Sequence, residues 1–157
     1  MLTGALTRLC YGRYMPKRQL PRTYCDVHIK PGAIKGFRKQ RFTCVRIPES
    51  KYRDLDEHDF YPHLYAENAL LATGDLNFVE AAIENNFRHA GIIVIEPEWD
   101  NEEAEAYAEL LAKFVAAYIE TEGKHAWRRR FIYVHHDGVT IDHNTEEEHF
   151  HSWESLQ

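Results

Sequence analysis

What this 157-residue sequence lacks narrows the field first. It holds three cysteines, Cys10, Cys25 and Cys44, with no Cys-x-x-Cys spacing. An odd, scattered set does not make a disulfide-stapled secreted scaffold, so we expect a reducing compartment, the cytoplasm. Serine occurs three times and never in a Gly-x-Ser-x-Gly elbow, which leaves Ser/His/Asp hydrolysis without support. Gly-x-Gly-x-x-Gly and the P-loop are missing too, which disfavours nucleotide-cofactor chemistry. No apolar run approaches the ~20 residues of a membrane-spanning helix.

What is present suits one folded domain: 44% of residues are hydrophobic and 28% charged. The net charge of −6 conceals an asymmetry. Residues 1–53 carry 13 Lys and Arg against two acids, whereas residues 54–157 carry 6 against 23. A basic first half can attract nucleic acid whatever the total charge, because binding follows the local field. The alternative is that the two halves neutralise each other across the fold.

The order of elements reads as strand and helix in alternation. Residues 1–21 form a basic arm without acids. Residues 22–29 are β-rich, and Pro31 then opens a helix with Ala33, Ile34 and Phe37 on its apolar face. A second strand spans residues 42–47 and ends at Pro48. An acid-rich helix follows within residues 54–68, where Pro62 is expected to split it into two turns. The runs 69–73 and 91–95 are apolar throughout, as in buried parallel strands. Between them, Phe78, Val79, Ala82, Ile83 and Phe87 recur at helical spacing. Asp100 and Glu103 form a capping-box pattern before a long amphipathic helix, which Gly123 ends. Residues 130–134 and 139–142 flank Asp137-Gly138, a hairpin signal. Residues 145–157 read as an acidic tail. We therefore expect an α/β three-layer sandwich over residues 22–144, its central sheet mainly parallel, closed by a C-terminal β-hairpin.

In an open α/β sheet the site lies at the carboxyl ends of the strands. Asp26 falls in or after the first strand and Asp75 after the third. Asp54, Asp56, Glu57 and Asp59 lie where the second connection begins its helix. Carboxylates brought together this way repel one another unless a cation neutralises them, and hard oxygen ligands suit Mg²⁺ or Mn²⁺. The structural alternatives are helix capping by Asp75 and first-turn dipole pairing by Asp56 and Glu57. Asp26 is harder to explain that way, since a charge inside a buried strand needs a partner. Histidines gather in the last third of the chain, at His125, His135, His136, His143, His149 and His151, without zinc-motif spacing. Arg128-Arg129-Arg130 is a solvated run unless it flanks the crevice.

These acids fall in an order that resembles the PIN-like domains of small prokaryotic proteins, some belonging to toxin–antitoxin systems. Asp26 matches the family's first-strand Asp, and Asp56-Glu57 the acidic pair that opens a helix. Thr73-Gly-Asp-Leu-Asn-Phe78 matches its T-x-D-x-D-F signature, followed by the apolar strand Gly91-Ile-Ile-Val-Ile95. The resemblance covers about residues 22–144. It implies a metal-dependent ribonuclease with Asp26, Asp56 and Asp75 as ligands of Mg²⁺ or Mn²⁺ and Glu57 as an alternative to Asp56. The catalytic set would be Asp26, Asp56, Glu57, Asp75 and Asn77. RNA would be steered by Lys30, Lys35, Arg38, Lys39 and Arg41 and stacked on Tyr24, Phe37, Tyr52 or Tyr61. The resemblance implies an antitoxin protein as partner, while a homodimer is expected of small soluble folds in general. Two departures stand out. Asn77 replaces the commoner second Asp and brings no charge, and His28 stands where a Glu is frequent. They keep open a second reading, a PIN-like module that binds without catalysing, and a third is an acidic surface that docks a basic protein.

Overall fold

Strand and helix alternate from Thr23 onward: β1 (Thr23–Cys25), α1 (Pro31–Lys39), β2 (Cys44–Arg46), α2 (Glu57–Glu67), β3 (Leu70–Thr73), α3 (Leu76–Glu84), β4 (Ile92–Val94), α4 (Asn101–Glu122), β5 (Arg130–Val134), β6 (Gly138–His143) and β7 (Glu148–Ser152). The structure is a computed structural model that describes residues 20–95, 98–143 and 148–156. Most of the expected N-terminal arm, residues 1–19, lies outside that set. The strands form one seven-stranded sheet in the order β2-β1-β3-β4-β5-β6-β7. The first five are mutually parallel, and β6 and β7 run antiparallel beyond β5.

Side-chain alternation explains why the parallel strands are apolar throughout. Cys25, Leu70, Ala72, Ile93, Ile132 and Val134 turn to one face, where they pack with Ile34 and Phe37 of α1 and Leu111 and Val115 of α4. Their neighbours Tyr24, Leu71, Ile92, Val94 and Phe131 turn to the other, against Tyr61 and Leu64 of α2 and Val79 of α3. Both faces are covered, so the strand interiors are apolar and polar residues sit at strand ends, as Thr23 and Thr73 do. The molecule is thus α/β, with a helical layer on each side of a mainly parallel sheet.

The helix ends follow from local chemistry. Asp56, Asp75 and Asp100 cap α2, α3 and α4 by accepting from Asp59 N, Asn77 N and Glu103 N. At the last of these the full capping box is present. Gly123, at φ 98°, stops α4. Asn68 ends α2 in the left-handed region at φ 55°. Helices α1 and α4 cross with almost no side chain between them: a Cβ on Gly32 would sit 2.0 Å from Asn101 O, and one on Gly36 2.4 Å from Glu105 O.

Three expectations need revision. Pro62 does not split α2, which runs unbroken through it. The proline withholds only one hydrogen bond, and the apolar side chains on either side still reach the core. Strand β1 is shorter than expected and ends before Asp26. Residues 148–152, expected in the acidic tail, instead add β7 to the sheet, and Trp153 behind it is buried with its indole N–H on His135 O at 3.0 Å. Strand β7 holds a single apolar residue, the exposed Phe150, so no alternation marks it in the sequence. The basic first half and acidic second half do meet: Lys39 lies 2.6 Å and Lys35 3.8 Å from Glu105, while Arg22 and Lys51 flank Glu67.

Candidate functional site

In the order 2-1-3-4-5 the winding reverses between β1 and β3, the point at which open α/β sheets form their crevice outside the carboxyl ends of the strands. Asp26 directly follows β1 and Thr73 ends β3, one step beyond the Cys25–Ala72 pair. The Asp26 backbone N–H still belongs to the ladder, donating to Ala72 O at 3.0 Å. Its carboxylate is 3% exposed. Burial at that level requires partners, and it has them. His28 N–H donates to Asp26 Oδ1 at 2.8 Å, and the Thr73 hydroxyl donates to Asp26 Oδ2.

Thr73 carries the network onward. Its Oγ1 accepts from Asp75 N–H at 3.0 Å, and Asp75 Oδ1 accepts from Asn77 N–H at 2.9 Å. The sequence-expected residues Asp26, Asp75 and Asn77 are therefore connected through one hydroxyl at the switch point. Thr73 was absent from the candidate set, although a lone Thr ending the run Ala-Leu-Leu-Ala was a signal for it. Asp75 also has the capping role that the sequence left open. One Asp75 oxygen is free of that duty.

Asp56 stands apart from this pair. It caps α2 and is exposed, as are Asp54 and Asp59, and Asp54 lies 3.5 Å from Arg53. The Glu57 side chain lies outside the described set. Among the described residues no three His, Cys, Asp or Glu side chains come together as a metal-holding group. What the hydrogen bonds link is the Asp26 carboxylate, the Thr73 hydroxyl and the start of α3, where the Asp75 carboxylate caps the helix. An apolar side chain stands exposed beside each candidate acid: Val27 after Asp26, Leu55 before Asp56 and Leu76 after Asp75.

The expected stacking residues occupy the core instead. Tyr24, Phe37, Tyr52 and Tyr61 are all buried. Tyr24 and Tyr52 both donate to the Glu67 carboxylate, Tyr52 at 2.7 Å. Burial alone would raise the Glu67 pKa, but these two hydroxyls and the nearby Lys51 and Arg22 outweigh it and hold the carboxyl below its usual value. Aromatic residues in β1 and α2 served packing because both faces of the sheet are covered.

The basic residues divide. Lys35 and Lys39 are engaged by Glu105, and Lys30 is the extended residue that precedes α1. Arg41 is exposed at φ 68° and Arg38 donates to Cys44 O at 3.1 Å. Arg46, not singled out by the sequence, reaches from β2 to Ile29 O at 3.2 Å, in the loop that follows Asp26. The Arg128-Arg129-Arg130 run leads into the amino end of β5, the opposite end of the parallel strands from Asp26 and Thr73. Arg128 lies over the Tyr65 ring and Arg130 over Tyr118. The neighbouring Cys44 thiol and burial push the Cys25 thiol far above its ordinary pKa, which removes it as a nucleophile.

Comparison with protein-family models, with curated proteins and with solved structures gives no match in any of the three.

Proposed function

We propose that the chain is a Mg²⁺- or Mn²⁺-dependent ribonuclease of PIN-like type, acting at the crevice between β1 and β3. The observation that carries this reading is the Asp26–Thr73–Asp75 network at the switch point. A buried carboxylate held by two donors, next to a second carboxylate with a free oxygen, is costly to assemble for packing alone. The donor set fits a hard divalent cation, being carboxylate and amide oxygen with no thiolate. Mg²⁺ keeps several waters and needs only one or two protein carboxylates beside substrate phosphate, so the pair is sufficient. Bound there, the ion would supply charge neutralisation at the phosphate and a more acidic water.

The residues take separate roles in this reading. Asp26 and Asp75 hold the cation, with Thr73 fixing the orientation of Asp26. Asp56 or Glu57, at the opening of α2, takes the proton of the attacking water. Asn77 donates to a phosphate oxygen. Val27, Leu55 and Leu76 give unpaired bases an apolar surface, a task the buried tyrosines are unable to perform. A toxin of a toxin–antitoxin pair, working in the cytoplasm as a homodimer, is the biological setting that accompanies the reading.

The test is Mn²⁺-dependent cleavage of single-stranded and structured RNAs, with Asp75→Asn as the control. One observation favours a second reading, a binding module without catalysis: Asp56 is occupied as a cap and exposed, so a third described carboxylate is not drawn in. Calorimetry separates the two. Absence of Mn²⁺ binding, together with absence of cleavage, selects the module.

A further inference from the structure

Outside the crevice, the edge of the sheet at β2 carries a second feature. An open groove of about 420 Å³ runs between α1 and β2, lined by Pro31, Ile34, Arg38, Val45, Arg46 and Glu49 among others. Its lining is mixed, with Pro31, Ile34 and Val45 beside the charged Lys35, Arg38, Arg46 and Glu49, and its two guanidinium groups come from different elements. Each is held by a backbone carbonyl, Arg38 by Cys44 O and Arg46 by Ile29 O. Each guanidinium has five N–H donors, so one such bond orients it and leaves most donors for a ligand. Among the described residues, neither arginine forms an ion pair with a carboxylate, unlike Lys35, Lys39 and Lys51. Two oriented guanidiniums from separate elements form a receptor for phosphate oxygens.

The groove is joined to the crevice through Arg46. That side chain rises from the end of β2 and grips Ile29 O, while Ile29 N–H donates to Asp26 O at 3.2 Å. The loop 26–30 thus has the Asp26 carboxylate at its start and an arginine clamp near its end. We propose that the groove binds the backbone phosphates of the same single-stranded RNA whose scissile bond lies at Asp26 and Asp75, with Arg38 and Arg46 as the phosphate contacts. The assignment rests on the ribonuclease reading for the identity of the ligand. Pro31, Ile34 and Val45 take sugar and base edges between the charged groups, which is how a strand is held without sequence preference. An acidic extended peptide laid along the free β2 edge is the competing occupant. RNA is favoured by the continuity of the groove with the Asp26 loop.

The experiment measures binding apart from cleavage. A fluorescent 2′-O-methyl RNA decamer of mixed sequence is titrated with the full chain, without divalent metal, over a series of KCl concentrations. Each phosphate neutralised on a single strand contributes about 0.7 to the slope of log K against log salt. The Arg38→Gln/Arg46→Gln protein should bind about tenfold more weakly at 0.1 M salt, with a slope shallower by about 1.4. Arg38→Lys/Arg46→Lys should retain most of the slope. If the double Gln protein melts early, Arg38→Gln alone, on an exposed site, should lower the slope by about 0.7. An unchanged slope overturns the proposal. So does a deca-glutamate peptide that binds through these arginines while RNA does not, which would assign the groove to a protein partner. Cleavage by wild type with an unchanged slope defeats the groove and leaves the nuclease. A reduced slope without any Mn²⁺-dependent cleavage does the reverse.

Discussion

The hydroxyl of Thr73 donates to the Asp26 carboxylate from the facing end of the adjacent strand, and the same oxygen receives the N–H of Asp75. One side chain thereby decides both the burial of the first acid and the position of the second. Thr73→Val keeps the shape and removes the hydroxyl. It leaves a buried carboxylate oxygen short of a donor and the Asp75 N–H without its acceptor. We expect a loss of about 1–3 kcal/mol in urea unfolding. RNA cleavage should fall further than stability alone explains. A variant as stable as wild type would remove Thr73 from the account.

His89 makes stability depend on pH. Burial, with the charge of Arg129 nearby, pulls its pKa down from 6.5 to about 4. Its Nδ1 accepts from Gly91 N–H at 3.2 Å, so the neutral ring carries its proton on Nε2, which has no partner among the described residues. Between pH 6.5 and about 4 the unfolded chain binds a proton that the folded chain does not. The contribution is therefore complete above pH 6.5 and is lost as pH falls towards 4. It amounts to roughly 3 kcal/mol, from 1.36 kcal/mol per unit. His89→Leu should flatten the urea midpoint across that range, and a slope equal to that of wild type would contradict the assignment.

Glu67 acts at lower pH. Its folded pKa is held below the ordinary value, so its contribution is complete above about 4.5 and disappears as pH falls through the folded pKa. Glu67→Gln leaves the Tyr24 and Tyr52 hydroxyls facing an amide. A cost of about 1 kcal/mol at pH 7, discounted for the partial exposure of the carboxylate, should be seen by thermal denaturation. It should shrink in acid. A cost that grows in acid would mean that the carboxylate is not the group responsible.

Gly36→Ala tests the crossing of α1 and α4. The added methyl would meet Glu105 O at 2.4 Å and Ala108 Cβ at 2.9 Å, and backbone has little room to retreat. We expect at least about 2 kcal/mol of destabilisation or failure to fold. Full stability would mean that the helices move apart freely.

Much of this fold was legible because its strands are buried on both faces. The runs 69–73 and 91–95 admitted few other interpretations, and Asp100 with Glu103 marked the start of α4 unambiguously. Strand β7 was hidden because an outermost strand, exposed on one side, can be written in Glu and His. The crevice was legible in part. Asp26 and Asp75 sit at the ends of neighbouring strands, and a buried Asp with no nearby basic residue announces itself. Asp56 also has the capping role that its place before a helix left open, which a sequence cannot weigh against a role at the strand ends. Arg46 was overlooked because its role depends on a contact with Ile29, 17 residues away, which no local pattern reports.

The most direct test is Mn²⁺-dependent cleavage of an RNA panel by wild type and by Asp75→Asn, purified identically. Asn caps helices as well as Asp does, so α3 should survive the exchange while one negative oxygen is lost. The account predicts cleavage by wild type that requires the metal, and a loss of at least about tenfold in the variant. Equal cleavage by both proteins, or none by wild type at any Mn²⁺ concentration, would contradict it.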